Sequence, residues 1–347
     1  MTARLLVDLA TLTANLDRVR ATVAPAELML VVKDDAYGHG LGPVVRAATA
    51  SGVSWFGAFD VRTGAAVRAV AGAGSRIFAW IAASRDDLDT AIGADLDLGI
   101  GDAELLEELV DAARAAQATV RVHLKIDTGL HRNGVRPESW PAFMQRAAQL
   151  QADGVIDVVG VWSHIAEASD AEDDDARAVF DWALDEAAAA GIHPSVRHLA
   201  ASAASFARPA FRYDLVRVGA FCYGIRSAGG PSAEQLGLQP IARLEAVVTA
   251  VHDEGVSIGV GALQGLPSSL RGARVGTPAG TRRLTEVGES ASLVETWPAA
   301  AAGDTVTVYG PGANGEGSST DLAELIGTIG EEIAVRVSPL VPRVYER

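Results

Sequence analysis

Lysine is almost missing from this chain. Lys33 and Lys125 are its only lysines, although lysine and arginine together number 29. Arginine replaces lysine well as a surface charge but not as a nucleophile, because a guanidinium keeps its proton in proteins. Two lysines kept against an arginine background are therefore candidates for chemistry, with chance survival on the surface as the competing reading. Cysteine is scarcer still. Cys222 stands alone, so no internal disulfide can form, and a reducing cytoplasm is the expected compartment. No apolar run is long enough to span a bilayer, and no basic, apolar leader opens the sequence.

Basic charge is also in deficit. The formal net charge is −15, which argues against nucleic acid or an anionic membrane as partner. It does not exclude a small anionic ligand, which feels the local field of its pocket. No metal is expected. With 49% hydrophobic and 21% charged residues, the composition is that of a soluble globular protein. A length of 347 residues suits two domains.

From residue 28 to about 225 short β-branched runs alternate with alanine-rich helical stretches. The strand candidates are 28–32, 55–59, 76–81, 96–100, 119–126, 156–164, 195–200 and 215–221. Helical patterns separate most of them, the last one short, around Ala203–Arg208. Eight such units predict a (β/α)8 TIM barrel over residues 1–232. Beyond the linker-like GGPSAEQLG, alternating strands, Gly/Pro turns and one late helix predict a mainly β C-terminal domain over 233–347. The N-terminal strand ARLLVDL is a candidate to pair with that second domain. The acidic run AEDDDAR reads as a solvated helix start.

Polar residues gather where a barrel puts its chemistry. Lys33, Asp60, Asp102, Lys125 with Asp127, His164 and Ser202 fall at or just past the C-terminal end of a strand. Asp60 and Asp102 read equally well as helix caps. In VVKDDAYGHG (31–40) a lysine leaves a strand and is followed by a tyrosine and a glycine turn. An apolar wall behind an amine favours its neutral, nucleophilic form, whose common use is an imine with an aldehyde cofactor.

The motifs together resemble the alanine racemase family of fold-type III pyridoxal-phosphate enzymes. VVKDDAYGHG is similar to its cofactor-lysine motif and HLKIDTGLHRNG (123–134) to its second. SHIAEASD (163–170), RHLAASAA (197–204) and YDLVRVGAFCYG (213–224) follow in order, and 327–345 resembles the family's ending. The resemblance implies a cofactor, pyridoxal 5′-phosphate, held by Lys33, which also serves as a base at the substrate Cα. It implies Tyr37, Ser202 and the backbone around Gly219 near the phosphate, and Arg217 facing the pyridine nitrogen with His198 behind it. It implies Arg132 near the ring hydroxyl, His164 beside the cofactor, and Lys125 as a lysine often carbamylated in the family. An amino-acid substrate and a homodimer with shared active sites follow from the same resemblance. A cation at the pyridine nitrogen disfavours protonation there, which favours return of the proton to Cα and hence racemisation.

Two segments depart from the family. Its partner-domain tyrosine motif, similar to IGYADGYP, reads here VSIGVGALQGLPSSLRG (256–272), with Val260 or Ala262 at the tyrosine position. No tyrosine lies between Tyr223 and Tyr309. The family's VGRVSMDQ reads VGESASLVE (287–295), placing Ser292 and Leu293 at the methionine and aspartate. His131 replaces a glycine beside Arg132. Loss of a proton-transfer group typically costs roughly 10²–10⁴ in rate. The leading expectation is an amino-acid racemase or epimerase with Lys33 as base and His131, His164 or water in place of the tyrosine. One-base chemistry, a decarboxylase or aldolase-type reaction, is the alternative, and a non-catalytic pyridoxal-phosphate-binding protein the third reading.

Overall fold

The computed structural model describes residues 2–346. The chain forms two compact units, one of Arg20–Lys33 and Thr49–Gly219, the other of Met1–Val19, Asp34–Ala48 and Ala220–Arg347.

After β1 (Ala3–Asp8), the first unit carries eight parallel strands: β2 (Glu27–Val31), β3 (Trp55–Asp60), β4 (Arg76–Ile81), β5 (Asp97–Ile100), β6 (Val120–Lys125), β7 (Ile156–Trp162), β8 (Val196–His198) and β9 (Leu215–Val218). Their order is β8-β7-β6-β5-β4-β3-β2-β9, so the last strand pairs with the first. The seam between β8 and β9 is bridged by single bonds, among them Arg217 N–H to the Ala200 carbonyl at 3.1 Å. The result is the expected parallel barrel, nearly closed. Both faces of each strand are covered, which is why the strands read as continuous apolar runs. The interior is packed with side chains, with Met29, Trp55, Phe78, Trp162 and Leu215 forming one cluster.

Local chemistry sets the helix starts. Asp60 accepts from Thr63 N–H at 2.7 Å and Asp102 from Leu105 N–H at 2.8 Å, so both are N-caps. The helix Ala103–Ala116 buries Leu106, Leu109, Val110 and Ala113 on one face. The short last helix runs Ser202–Ala207. The acidic run opens the helix Asp170–Ala189, yet Asp173 is buried and accepts from Glu167 N–H at 3.1 Å. That carboxylate is structural rather than solvated.

The second unit contains an eight-stranded sheet built from β1, β10 (Ala242–His252), β11 (Gly255–Ile258), β12 (Arg274–Thr277), β13 (Gly280–Val287), β14 (Ser292–Val294), β15 (Thr305–Tyr309) and β16 (Arg343–Glu346), in the order β11-β14-β13-β12-β15-β10-β1-β16. β1 pairs antiparallel with β10 and parallel with β16, so the N-terminal strand does join the mainly β sheet. The expected late helix is Ser319–Ile326, and a further one, Gly330–Val335, follows at once.

Candidate active site

The C-terminal ends of the barrel strands carry lysine, arginine and histidine side chains. Lys33 lies just past β2, Lys125 ends β6, His164 lies just past β7, His198 ends β8, and Arg217 sits within β9. This is the face on which barrels of this type do chemistry. Burial drives the pKa of His164 down to about 3, and the charges of Arg217, Arg132, Lys125 and Lys33 push it the same way. Four cations therefore act on one neutral imidazole.

Arg217 is the best-anchored of them. Its Nη1 donates to His198 Nδ1 at 3.0 Å and to the His198 carbonyl at 3.1 Å. Its Nη2 donates to the carbonyls of Ser163 (2.8 Å) and Leu199 (3.1 Å) and to His164 Nδ1 at 3.2 Å. All these acceptors are neutral. Burial lowers the guanidinium pKa to about 9, opposed by Glu167 and aided by Arg132, so it stays charged at neutral pH.

Lys125 is buried, with its ammonium 4.5 Å from the centre of the Trp162 ring. Burial lowers its pKa to about 8, with repulsion from Arg217 and Arg132 added and Asp127 opposing. Next to it, Asp127 accepts from the N–H groups of Gly129 and His131, at 3.1 and 3.0 Å. The His131 ring is 62% exposed, with its Nδ1 3.0 Å from Asp127 Oδ2 and 2.6 Å from Arg136 Nη1. His131 is thus tied to Asp127 and Arg136.

Ser202 opens the short helix after β8, and Gly219 directly follows β9. The N–H of Ala204 is taken by the Glu167 carboxylate at 3.0 Å. In the second unit, Asp34, Asp35, Ala36 and Tyr37 form a left-handed turn with φ of 54 to 56°, a conformation that non-glycine residues seldom adopt. Tyr37 is buried against Tyr223, with ring centres 4.9 Å apart, and burial raises its phenol pKa.

The segments 256–272 and 287–295 also lie in the second unit. Val260 is fully buried, whereas Ala262 is exposed at the start of a 3-10 turn. Ser292 is buried and its hydroxyl donates to the Val260 carbonyl at 2.7 Å, so it serves the sheet. Sequence reading missed Asp97 and His123, both fully buried and joined to the site through His198. An imidazole and a carboxylate inside otherwise apolar strands were the available signal.

The family model described as alanine racemase, N-terminal domain, matches residues 7–227. The chain is 39% identical to the alanine racemase of Beutenbergia cavernae, covering 99% of this chain and 97% of that one. It is 35% identical to that of Thermobifida fusca, covering 98% and 96%. Among solved structures, alanine racemase from D-cycloserine-producing Streptomyces lavendulae superposes with a TM-score of 0.93 at 32% identity, over 100% of this chain and 97% of that one. That of Streptomyces coelicolor A3(2) gives 0.94 at 31%, over 99% and 98%. With barrel, sheet and ordered motifs matched from end to end, the chain belongs to the alanine racemase family.

Proposed function

We propose that this protein is a pyridoxal-phosphate-dependent amino-acid racemase in which Lys33 holds the cofactor and serves as a base at the substrate Cα. The observation that carries this reading is the placement of Lys33, Lys125, His164 and Arg217 at or near the C-terminal ends of the barrel strands, with Arg217 Nη2 3.2 Å from His164 Nδ1. The five hydrogen bonds from Arg217 to His198, Ser163, His164 and Leu199 all go to neutral acceptors, so this cationic site fits an anionic ligand carrying a phosphate. When bound, pyridoxal phosphate supplies an aldehyde for the substrate amine and a ring that withdraws electrons from Cα.

The remaining work falls to the chain. The Lys33 amine takes and returns the Cα proton on one face. Arg217 keeps a fixed cation toward the ring nitrogen and so disfavours a proton there. Ser202, Tyr37 and the Gly219 backbone are assigned to the phosphate, and Arg132 to the ring hydroxyl. His164, with Nδ1 accepting from Arg217, presents Nε2–H as a donor. Lys125, whose amine is neutral above about pH 8, is suited to add carbon dioxide. A nitrogen–carbon bond would form, a proton would leave, and the product would be an anion beside Arg132. The family resemblance supports a homodimer with shared sites.

The second face lacks the family's tyrosine. The exposed Ala262 offers no group that moves a proton. That observation favours one alternative, one-base chemistry by Lys33 alone, as in decarboxylation or aldol cleavage. Incubation with single amino acids in D₂O, followed by NMR of the Cα proton, separates these readings. Exchange with inversion is expected. Exchange with retention would assign Lys33 as the sole base. No exchange and no product from a cofactor-loaded protein would overturn the enzymatic reading. Borohydride reduction of the loaded protein should place the covalent label on Lys33, and a label elsewhere would sink that assignment.

A further inference from the structure

A line of polar groups crosses the packed interior of the barrel. It starts at Asp97, the first residue of β5, and ends at Arg217. Asp97 Oδ2 lies 3.3 Å from His123 Nε2. His123 Nδ1 lies 2.8 Å from His198 Nε2. His198 Nδ1 lies 3.0 Å from Arg217 Nη1. Asp97, His123 and His198 are wholly inaccessible to solvent.

We propose that Asp97 is a positioning residue for the active site, acting through His123 and His198 to fix both imidazoles as Nε2–H tautomers and so hold an acceptor against the Arg217 guanidinium. The direction of the chain follows from its ends. A guanidinium only donates, so His198 Nδ1 accepts and its proton sits on Nε2. That N–H donates to His123 Nδ1, which places the His123 proton on Nε2. This proton meets a carboxylate, which accepts. Every link then has one donor and one acceptor. A proton added to either ring would set two donors face to face somewhere along the line.

The surroundings favour the neutral rings. His123 lies against Phe78, 4.6 Å between ring centres, and edge-on to Trp55. His198 stacks on Trp162, 5.6 Å apart with 4° between planes. The charged groups acting on His123 are Asp97, Arg76 and Arg217, and burial outweighs Asp97 to lower its pKa. Burial, His123 and Arg217 lower that of His198. Gly160 on β7 leaves the space that His123 occupies, since a Cβ there would stand 2.1 Å from His123 Nδ1. Asp97 is itself held ionised by Arg76 and by Arg121 Nε, the latter at 2.6 Å. It stands at the N-terminal end of its strand, where barrels ordinarily keep stability rather than function. The chain of bonds links that end to the site.

The test is long-range ¹H–¹⁵N correlation NMR on the full-length protein with ¹⁵N-labelled histidine, the two signals assigned from His123→Gln and His198→Gln. In the wild type both rings should be neutral Nε2–H tautomers that hold their shifts through the pH range where an ordinary imidazole titrates. An Nδ1–H tautomer or an imidazolium at either position overturns the proposal. In Asp97→Asn, Arg76 and Arg121 claim the amide oxygen and turn the NH₂ onto His123. Both ends of the line then donate, so one link must break: His123 should no longer be a pure Nε2–H tautomer, and the His198 signal, which loses its acceptor, should shift with it. A folded Asp97→Asn protein with His198 unchanged overturns it too, and if that variant does not fold the wild-type tautomers still decide. The tautomers do not depend on the functional reading of Arg217. Failure of the wild type to bind pyridoxal phosphate would remove that reading and leave this one standing.

Discussion

Gly160→Ala adds one methyl group and tests the barrel interior directly. The new Cβ would lie 2.1 Å from His123 Nδ1, 2.6 Å from its Cγ and 2.8 Å from its Cε1. Ordinary contact between such atoms is about 3.5–4.0 Å, so the ring must move by more than about 1 Å. Phe78 and Trp55 wall it in, and any shift pulls it from His198 and Asp97. Overpacking a core costs about 1–3 kcal/mol. The two hydrogen bonds, one of them to a carboxylate, add about 1 kcal/mol or more each. A loss of about 3–5 kcal/mol is expected, read by urea denaturation with circular dichroism. The same substitution in a His123→Ala background should cost less than about 1 kcal/mol, because the colliding ring is gone. A penalty below about 1 kcal/mol in the wild type, or an equal penalty in both backgrounds, would refute the reasoning.

Lys125 should make stability rise with pH. Its folded pKa of about 8 lies below the ordinary 10.5, so between those values the unfolded chain holds the extra proton and unfolding becomes harder as pH increases. Measured against Lys125→Met in carbon-dioxide-free buffer, the gain across that window should approach about 3 kcal/mol, and a flat difference contradicts it. Ala262→Tyr should raise amino-acid racemisation, assayed by chiral chromatography, whereas Val260→Tyr should unfold the sheet, because Val260 is fully buried and Ala262 is exposed. Asp102→Ala removes the cap on Leu105 and should lower the thermal midpoint by an amount worth about 1 kcal/mol.

The barrel was legible because its strands are buried on both faces. LMLVV and RIFAWI read as apolar runs and became β2 and β4. The helix Ala103–Ala116 was legible because its apolar stripe and its Asp102 cap agree. Edges were less readable. The run 195–200 contributes only three residues of strand, because the chain leaves the sheet at once to meet Arg217. The left-handed turn at Asp34–Tyr37 had no local signal, since four successive non-glycine residues with positive φ violate the propensity on which a sequence reading rests. At the site, Lys33, Lys125 and His164 stood out as polar residues at strand ends. Asp97 and His123 did not. Their periodicity is that of strand residues, and their meaning lies in partners at residues 198 and 217 that only the closed barrel brings near.

The scarcity of lysine now has a physical reading. Across the molecule arginine supplies fixed positive charge. Arg76 and Arg121 clamp Asp97, Arg226 clamps Asp321 and Glu324, Arg197 clamps Asp214, and Arg217 holds its charge although buried. A guanidinium suits each of these tasks because it forks and stays charged at neutral pH. The proposed tasks of Lys33 and Lys125 demand the reverse, an amine that gives up its proton. At Lys125 burial and two neighbouring arginines bring that event to about pH 8. The arginines are therefore part of the device: they lower the lysine's pKa by repulsion while keeping their own charge, and arginine in place of Lys125 would remove the one member of the cluster able to become neutral or to add carbon dioxide. A chain whose basic residues are otherwise all arginine would retain lysine at such positions, and both of its lysines lie at the ends of barrel strands.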